Sequence, residues 1–360
     1  MAKEQQPAKE TYDARAGGSW KFSGPGALLR YWTRAKGASG FGSGTTAQEA
    51  AKRWDGKGKV AIVTGPYTGI GLATARELAC RGCEVVLAGR TKGSAKDRGE
   101  NWIKREILDK CPGKRGKVSA IELDLSSLKS VRTFAEEFKR SGKDLNLLVN
   151  NAGVMAIPAF TKSKDSFEMQ FATNHLGHFL LTHLLLDKMK ASAKKPRAPQ
   201  GRIVNLSSSA HFMGYKPEGI LPAEDLHSEK KYHDWKAYGQ SKLSNLLHAR
   251  ELNARLAEED PESRVIAVGV HPGVIATDLQ RHIQMPAFVR YFAHAIASPG
   301  LKSIDQGAAT TVYCATAPHI AGGEFYSDCN VQGSSDLSKD RSIGRRLWRI
   351  SEEHCKAFMS

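Results

Sequence analysis

No run of 18 apolar residues occurs in the 360-residue chain, so no membrane-spanning helix is expected. Aromatic residues are few, at 8% of the chain. Residues 90–117 hold ten Lys or Arg against four acids, and KMKASAKKPR follows at 188–197, yet neither interleaves its charges with rings that could stack on bases. The formal net charge of +16 suits an anionic partner or a basic soluble surface, and with no nucleic-acid module in sight no nucleic-acid partner is expected. Cysteine is also scarce. Six in a chain of this length do not make a disulfide framework, which makes an intracellular, reducing compartment the expectation. The CxxC from Cys80 to Cys83 falls at a helix end entering a strand, with no second ligand pair, so packing is expected there and no metal is expected anywhere. The first 20 residues carry Glu4, Glu10 and Asp13 and no apolar core, which argues against a secretory signal.

What is present is alternation. Residues 1–55 are rich in Gly, Ser, Ala and Lys without a sustained period and read as a basic extension, whose GALLRYWTRAKG at 26–37 suits an anionic membrane surface or packing on the domain. From Lys59 short β-branched runs alternate with helical ones: KVAIVT, a helix from Gly69 to Arg81, EVVLA, a helix over 99–110, KVSAIEL, a helix from Ser127 to Ser141, and LNLLVN. A long helix over 165–190, RIVNLS, a helix containing Tyr238, RVIAVGV and EFYS complete the series. Continuous apolar strands separated by helices imply a parallel sheet covered on both faces. The expected fold is therefore α/β: a Rossmann-type, doubly wound parallel sheet of about seven strands, with residues 56–335 as one domain and 336–360 as a C-terminal helix or tail.

The first strand runs into VTGPYTGIGLATARELA, where Gly65, Gly69 and Gly71 let backbone N–H groups approach a pyrophosphate at a helix N-terminus. Thr68 and Ile70 belong to the same turn. About 20 residues on, where Asp or Glu would bond a free ribose 2′-hydroxyl, stands Arg90, which favours a 2′-phosphate and hence NADP(H). Further along, Tyr238 and Lys242 lie four apart on one helix face, close enough for an ammonium to act on a phenol.

TGPYTGIG (64–71), NNAG (150–153), FATNHLGHFLL (171–181), IVNLSSSAH (203–211), YGQSK (238–242) and HPGVIATDL (271–279) resemble, in order and position, the motifs of short-chain dehydrogenases/reductases. QGAATTVYCAT (306–316) and GGEFYSDC (322–329) are similar to the retinol-dehydrogenase-like branch, and KGASGFGSGTTAQEA (36–50) to its Tic32-like plastid members. The resemblance implies a catalytic set of Asn174, Ser208, Tyr238 and Lys242: Tyr238 as the acid or base, Lys242 lowering its pKa and holding the nicotinamide ribose, Ser208 orienting the substrate oxygen, and Asn174 kinking its helix around a water. Ser208 is preferred to Ser207 and Ser209, which strand alternation turns away. His175 and His178 are expected to pack or cap. Asn151, Ala152 and Gly153 would pass beneath the adenine ribose, Asp124 and Leu125 would border the adenine, and Pro272, Gly273, Val274 and Thr277 would wall the nicotinamide.

Pro66 and Tyr67 depart from the family pattern, and Pro66 has no N–H for a phosphate. The implied activity is NADP(H)-dependent hydride transfer to or from a carbonyl or alcohol of a hydrophobic substrate such as a retinoid, steroid, lipid aldehyde or quinone. Such a substrate would enter over residues 211–234 and 278–302. The alternative is an NADP(H)-binding sensor or scaffold with little turnover. Leu243, Leu247, Leu252 and Leu256 put apolar residues on more than one side of the Tyr238 helix, which suits a homodimer or cover by the extension. A cytoplasmic location, or a peripheral one on an organelle membrane such as the plastid's, fits these features.

Overall fold

A computed structural model describes residues 33–90, 95–113, 115–196, 198–275 and 301–359. Eight strands form one open sheet: β1 (Val60–Thr64), β2 (Glu84–Gly89), β3 (Val118–Glu122), β4 (Leu147–Asn150), β5 (Gly201–Leu206), β6 (Val265–His271), β7 (Phe325–Ser327) and β8 (Asn330–Val331). Their order is β3-β2-β1-β4-β5-β6-β7-β8, and every neighbouring pair is parallel except β7 with β8. The eighth strand, absent from the sequence reading, is two residues long and returns antiparallel after a turn in which Asp328 and Cys329 both have positive φ. Strand order reverses between β1 and β4, which opens a crevice at the carboxyl ends of the strands.

Strand alternation shows why both faces are covered. Val60 and Ile62 point into one core and Ala61 and Val63 into the other; Val86 and Ala88 divide from Val85 and Leu87 in the same way. One face carries α4 (Leu128–Arg140), α5 (Gly177–Lys194), α6 (Asp234–Glu259) and α9 (Arg341–Cys355), and the other α2 (Gly69–Cys80), α3 (Ala95–Glu106) and α7 (Ile304–Thr316). Shorter helices are α1 (Ala47–Ala50), a single turn at Met169–Phe171 before α5, and α8 (Asp336–Lys339). Thr46 and Glu49 form a capping box on α1, and Ala47 and Ala51 pack on Ala73 of α2 and on Ala308 and Val312 of α7. Part of the segment that reads as irregular is thus fastened to the sheet's helices.

Three expectations are corrected. The helix expected from residue 165 starts at Met169, because Ser166 takes positive φ and the Glu168 carboxylate caps the N–H groups of Gln170 and Phe171. The leucines that suggested a second subunit are all buried inside this chain, where α9 brings Leu347 and Trp348 against α6 and Phe179. The cysteines are not all reduced: Cys80 is disulfide-bonded to Cys111 with Cα atoms 4.8 Å apart, since the chain returns after α3 to the C-terminal end of α2. Thirty-one residues separate the two, a pairing that spacing alone does not reveal. Cys83 is free and buried, and burial pushes its thiol up to about 12. Among the described residues no helix is long and apolar enough to cross a membrane.

Candidate active site

The glycine turn at the end of β1 is built by close approach. A Cβ on Gly71 would lie 2.1 Å from the Gly65 carbonyl oxygen and 2.5 Å from Asn151 Nδ2, and one on Gly65, at φ +61°, 2.9 Å from Ala152 Cα. Asn151 holds the turn from the end of β4, its Nδ2 donating to the carbonyls of Thr64 at 2.8 Å and Gly65 at 3.2 Å. Thr64 holds Asn151 in return: its Oγ1 accepts the N–H groups of Asn151 and Ala152, both at 2.9 Å, and meets His178 Nε2 at 2.9 Å. His178 Nδ1 bonds the Asn174 carbonyl at 3.0 Å, so this histidine packs between β1 and the helix before α5. His175 is likewise buried, with Nε2 on Ser351 Oγ of α9. Thr68 precedes α2 with extended backbone and no side-chain cap, which leaves the first-turn N–H groups open beside Ile70.

Arg90 is exposed at the end of β2, and its guanidinium has no hydrogen bond or ion pair among the described residues. Tyr67 lies against Gly89, the residue before Arg90. The Tyr67 ring packs edge-on to Trp102, centroids 5.7 Å apart, and a Cβ on Gly89 would meet it at 2.5 Å. The bulk that looked out of place in the glycine turn therefore covers the end of β2. At the end of β3, burial would raise the Asp124 pKa, but bonds from the Ser126 hydroxyl and N–H and an ion pair with Lys164 at 2.9 Å hold it below the usual value. Leu125 is in the core, its carbonyl against Gly177.

Asn174, Ser208, Tyr238 and Lys242 come from three different elements and meet around the ends of β4 and β5. Residues Ala172–Leu176 form a π-helical turn, as a widened helix at a functional position often does. That turn directs Asn174 onto the chain after β4: Oδ1 accepts the Val154 N–H at 2.8 Å, while Nδ2 donates to the Val154 carbonyl and to Ser241 Oγ, both at 2.9 Å. Ser241 Oγ donates to the Tyr238 carbonyl at 2.7 Å, which ties the kink to α6. A Cβ on Gly153 would sit 3.1 Å from Asn174 Oδ1 and 3.5 Å from Lys242 Nζ, so Gly153 keeps these two groups uncovered.

Lys242 Nζ donates to the Leu206 carbonyl at 3.0 Å and lies 5.6 Å from the centre of the Tyr238 ring. Both side chains are only 4% exposed. Burial lowers the Lys242 ammonium to about 8 and raises the Tyr238 phenol to about 12, with a Ser208 hydrogen bond opposing the rise. The sequence reading asks for a lowered phenol, and the protein's own groups push it the other way. Ser207 Oγ bonds the Lys242 carbonyl at 2.7 Å, so it turns away from the site while Ser208 caps the following turn.

Sequence reasoning missed Thr64, Ser241, Met155, Trp235 and Lys302. Met155, Ala156, Ala210 and Trp235 surround Tyr238 with apolar surface; Trp235, three residues before it on α6, could have been found from helix spacing. Gly273, at φ +93°, would place a Cβ 2.7 Å from Lys302 Cδ, and Lys302 pairs with Asp328. Next to Pro272 and Gly273, Val274 is 54% exposed. Thr277 and residues 278–300 lie outside the described residues.

The family described as short chain dehydrogenase matches residues 59–220. Short-chain dehydrogenase TIC 32 B, chloroplastic, of Brassica napus is 44% identical over 321 residues, 89% of this chain and 95% of that protein. Retinol dehydrogenase 12 of Homo sapiens is 41% identical over 299 residues, 82% of this chain and 86% of that protein. A crystal structure of an uncharacterized protein from Mycobacterium Paratuberculosis superposes with TM-score 0.63 at 32% identity, over 87% of this chain and 98% of that one. With the open doubly wound sheet, its glycine turn and this extent of shared sequence, the chain belongs to the short-chain dehydrogenase/reductase family, in its branch of retinol-dehydrogenase-like and Tic32-like oxidoreductases.

Proposed function

We propose that the chain is an NADP(H)-dependent oxidoreductase that moves a hydride between the nicotinamide and a carbonyl or alcohol carbon of an apolar substrate. The observation that carries this reading is the convergence of Asn174, Ser208, Tyr238 and Lys242 on one buried spot beside the glycine turn. A dinucleotide fits the residues: the absence of side chains at Gly65 and Gly71 lets the turn pack tightly on Asn151 and Ala152, and the uncapped start of α2 offers N–H groups to a phosphate. Bound there, NADP(H) would supply or accept the hydride.

The remaining work falls to side chains. Tyr238, a neutral phenol at pH 7, gives its proton to the reduced oxygen; Ser208 orients that oxygen; Lys242, protonated below about 8, stabilises the phenolate left behind; Asn174 and Gly153 keep the ammonium accessible. Met155, Ala156, Ala210 and Trp235, with half-exposed Phe212 and Met213, suit an apolar substrate body, in keeping with a relative named retinol dehydrogenase. Testing NADPH oxidation against a panel of apolar aldehydes and ketones addresses the reading directly. NADPH binding without turnover of any of them would instead support a sensor or scaffold.

Two expectations follow from single groups. Arg90→Ala is expected to weaken NADPH binding about 10- to 100-fold and leave NADH binding unchanged, because a charge-assisted contact to a 2′-phosphate is worth about 1.5–3 kcal/mol. Equal losses for both cofactors, measured by fluorescence titration, would refute this role. The rate of carbonyl reduction is expected to fall as pH rises through about 8, since Lys242 then loses the charge that stabilises phenolate. A kcat profile flat from pH 7 to pH 9 would remove Lys242 from the proton-transfer step.

A further inference from the structure

A cavity of about 940 Å³, a size typical of small-molecule sites, runs from the turn after β7, at Cys329–Val331, to the starts of the strands, at the end of the sheet opposite the glycine turn. Leu147 and Arg202, at the starts of β4 and β5, line it, as does the turn from Pro318 to Ala321 that joins α7 to β7. Parallel strands gather their starts at one edge of the sheet and their ends at the other. Arg202, at the start of β5, is therefore separated from Ser208 by the length of that strand, ~20 Å.

Its lining joins the rings of Trp54, Tyr313 and Tyr326 to three cations, Lys59, Arg202 and Arg264, and among the described residues it includes no Asp or Glu. Arg202 is the telling member, only 7% exposed. Nη1 donates to the Cys314 carbonyl at 3.1 Å and Nη2 to the Pro318 carbonyl at 3.4 Å, both at the C-terminal end of α7. A helix end offers about half a negative charge, and a guanidinium carries five donors, so these two bonds leave Arg202 incompletely neutralised. Burial accordingly disfavours its charged form. Arg264 bonds the carbonyls of Ala193 and Ala198, and Lys59 bonds the Asp55 carbonyl and lies 5.4 Å from the Trp54 ring centre. Ser263, in the same lining, has a buried hydroxyl with no hydrogen-bond partner. Carbonyls satisfy several N–H groups here, and among the described residues no carboxylate in the lining supplies the missing countercharge.

We propose that this cavity is a second ligand site, separate from the cofactor crevice, for a small amphipathic organic anion whose acidic head sits on Arg202 and whose apolar body lies against Trp54, Tyr313 and Tyr326. A charge held in a low-dielectric pocket binds an anion more strongly than the same charge in water, and apolar walls exclude anions without a hydrophobic body.

Calorimetric titration of the full chain with decanoate, decyl phosphate and 1-decanol, each below its micellar concentration, tests the site. At least one acid is expected to bind one-to-one and tenfold or more tighter than the alcohol, and a preference between the acids identifies the head group. Arg202→Met is expected to lower the affinity for that acid at least tenfold, and Ala321→Trp, which fills the cavity, to abolish its binding. Thermal unfolding reports whether each variant is folded; if Arg202→Met is not, Ala321→Trp decides alone. The proposal is overturned if no probe binds at millimolar concentration, if the alcohol binds as tightly as both acids, or if acid binding survives in the folded variants.

Discussion

Tyr238→Phe is expected to lower kcat for NADPH-dependent carbonyl reduction by about 10²–10⁴-fold, the usual contribution of a positioned general acid, while the Kd for NADPH changes less than about twofold. The two effects separate because of where the ring lies. Its body packs with Met155, Ala156, Ala210 and Trp235, contacts that phenylalanine keeps. Only the hydroxyl is lost, and with it the proton and the bond to Ser208. Lys242 is anchored independently on the Leu206 carbonyl, so the ammonium should not move. Single-turnover NADPH oxidation beside equilibrium NADPH binding distinguishes chemistry from binding. A variant that keeps its rate would show that another group donates the proton, and a wild type that binds NADPH yet reduces nothing would leave binding as the protein's task.

The second large effect is expected at Gly71. Gly71→Ala places a methyl 2.1 Å from the Gly65 carbonyl oxygen, 2.9 Å from its carbon and 2.5 Å from Asn151 Nδ2. None of these can yield cheaply, because Gly65 is fixed by its N–H bond to the Ala88 carbonyl and Asn151 by its bonds to Thr64. The glycine turn and the end of β4 must therefore part, at a cost of about 1–3 kcal/mol in stability. NADPH affinity is expected to fall more than about 100-fold, since the displaced elements are those proposed to hold the cofactor. Thermal melting with NADPH titration checks both. Unchanged affinity in a destabilised but folded variant would mean that the cofactor does not rest on this turn.

The alternation of apolar strands with helices, the glycine turn and the order of the motifs were legible because each is local: a strand buried on both faces must be apolar throughout, and a strand-to-helix turn at this closeness must be glycine. Arg90 could be picked out by its distance along the chain from that turn. Tyr67 reads as an oddity until Trp102 and Gly89, distant in sequence, are brought against it. The same holds for Thr64, an ordinary strand residue in the sequence whose hydroxyl proves to join β1, the end of β4 and His178.

The sequence by itself determined the class of sheet, the family and the residue types of the candidate site, because local periodicity and motif spacing are properties of a linear chain. Tertiary structure decided what depends on return. It set the Cys80–Cys111 pairing, the burial of the α6 leucines beneath α9, the opposed shifts of Tyr238 and Lys242, and the cationic cavity around Arg202. Each arises when segments far apart in the chain exclude water from a common volume, and the cost of desolvating a charge or the reach of a thiol has no counterpart in residue order.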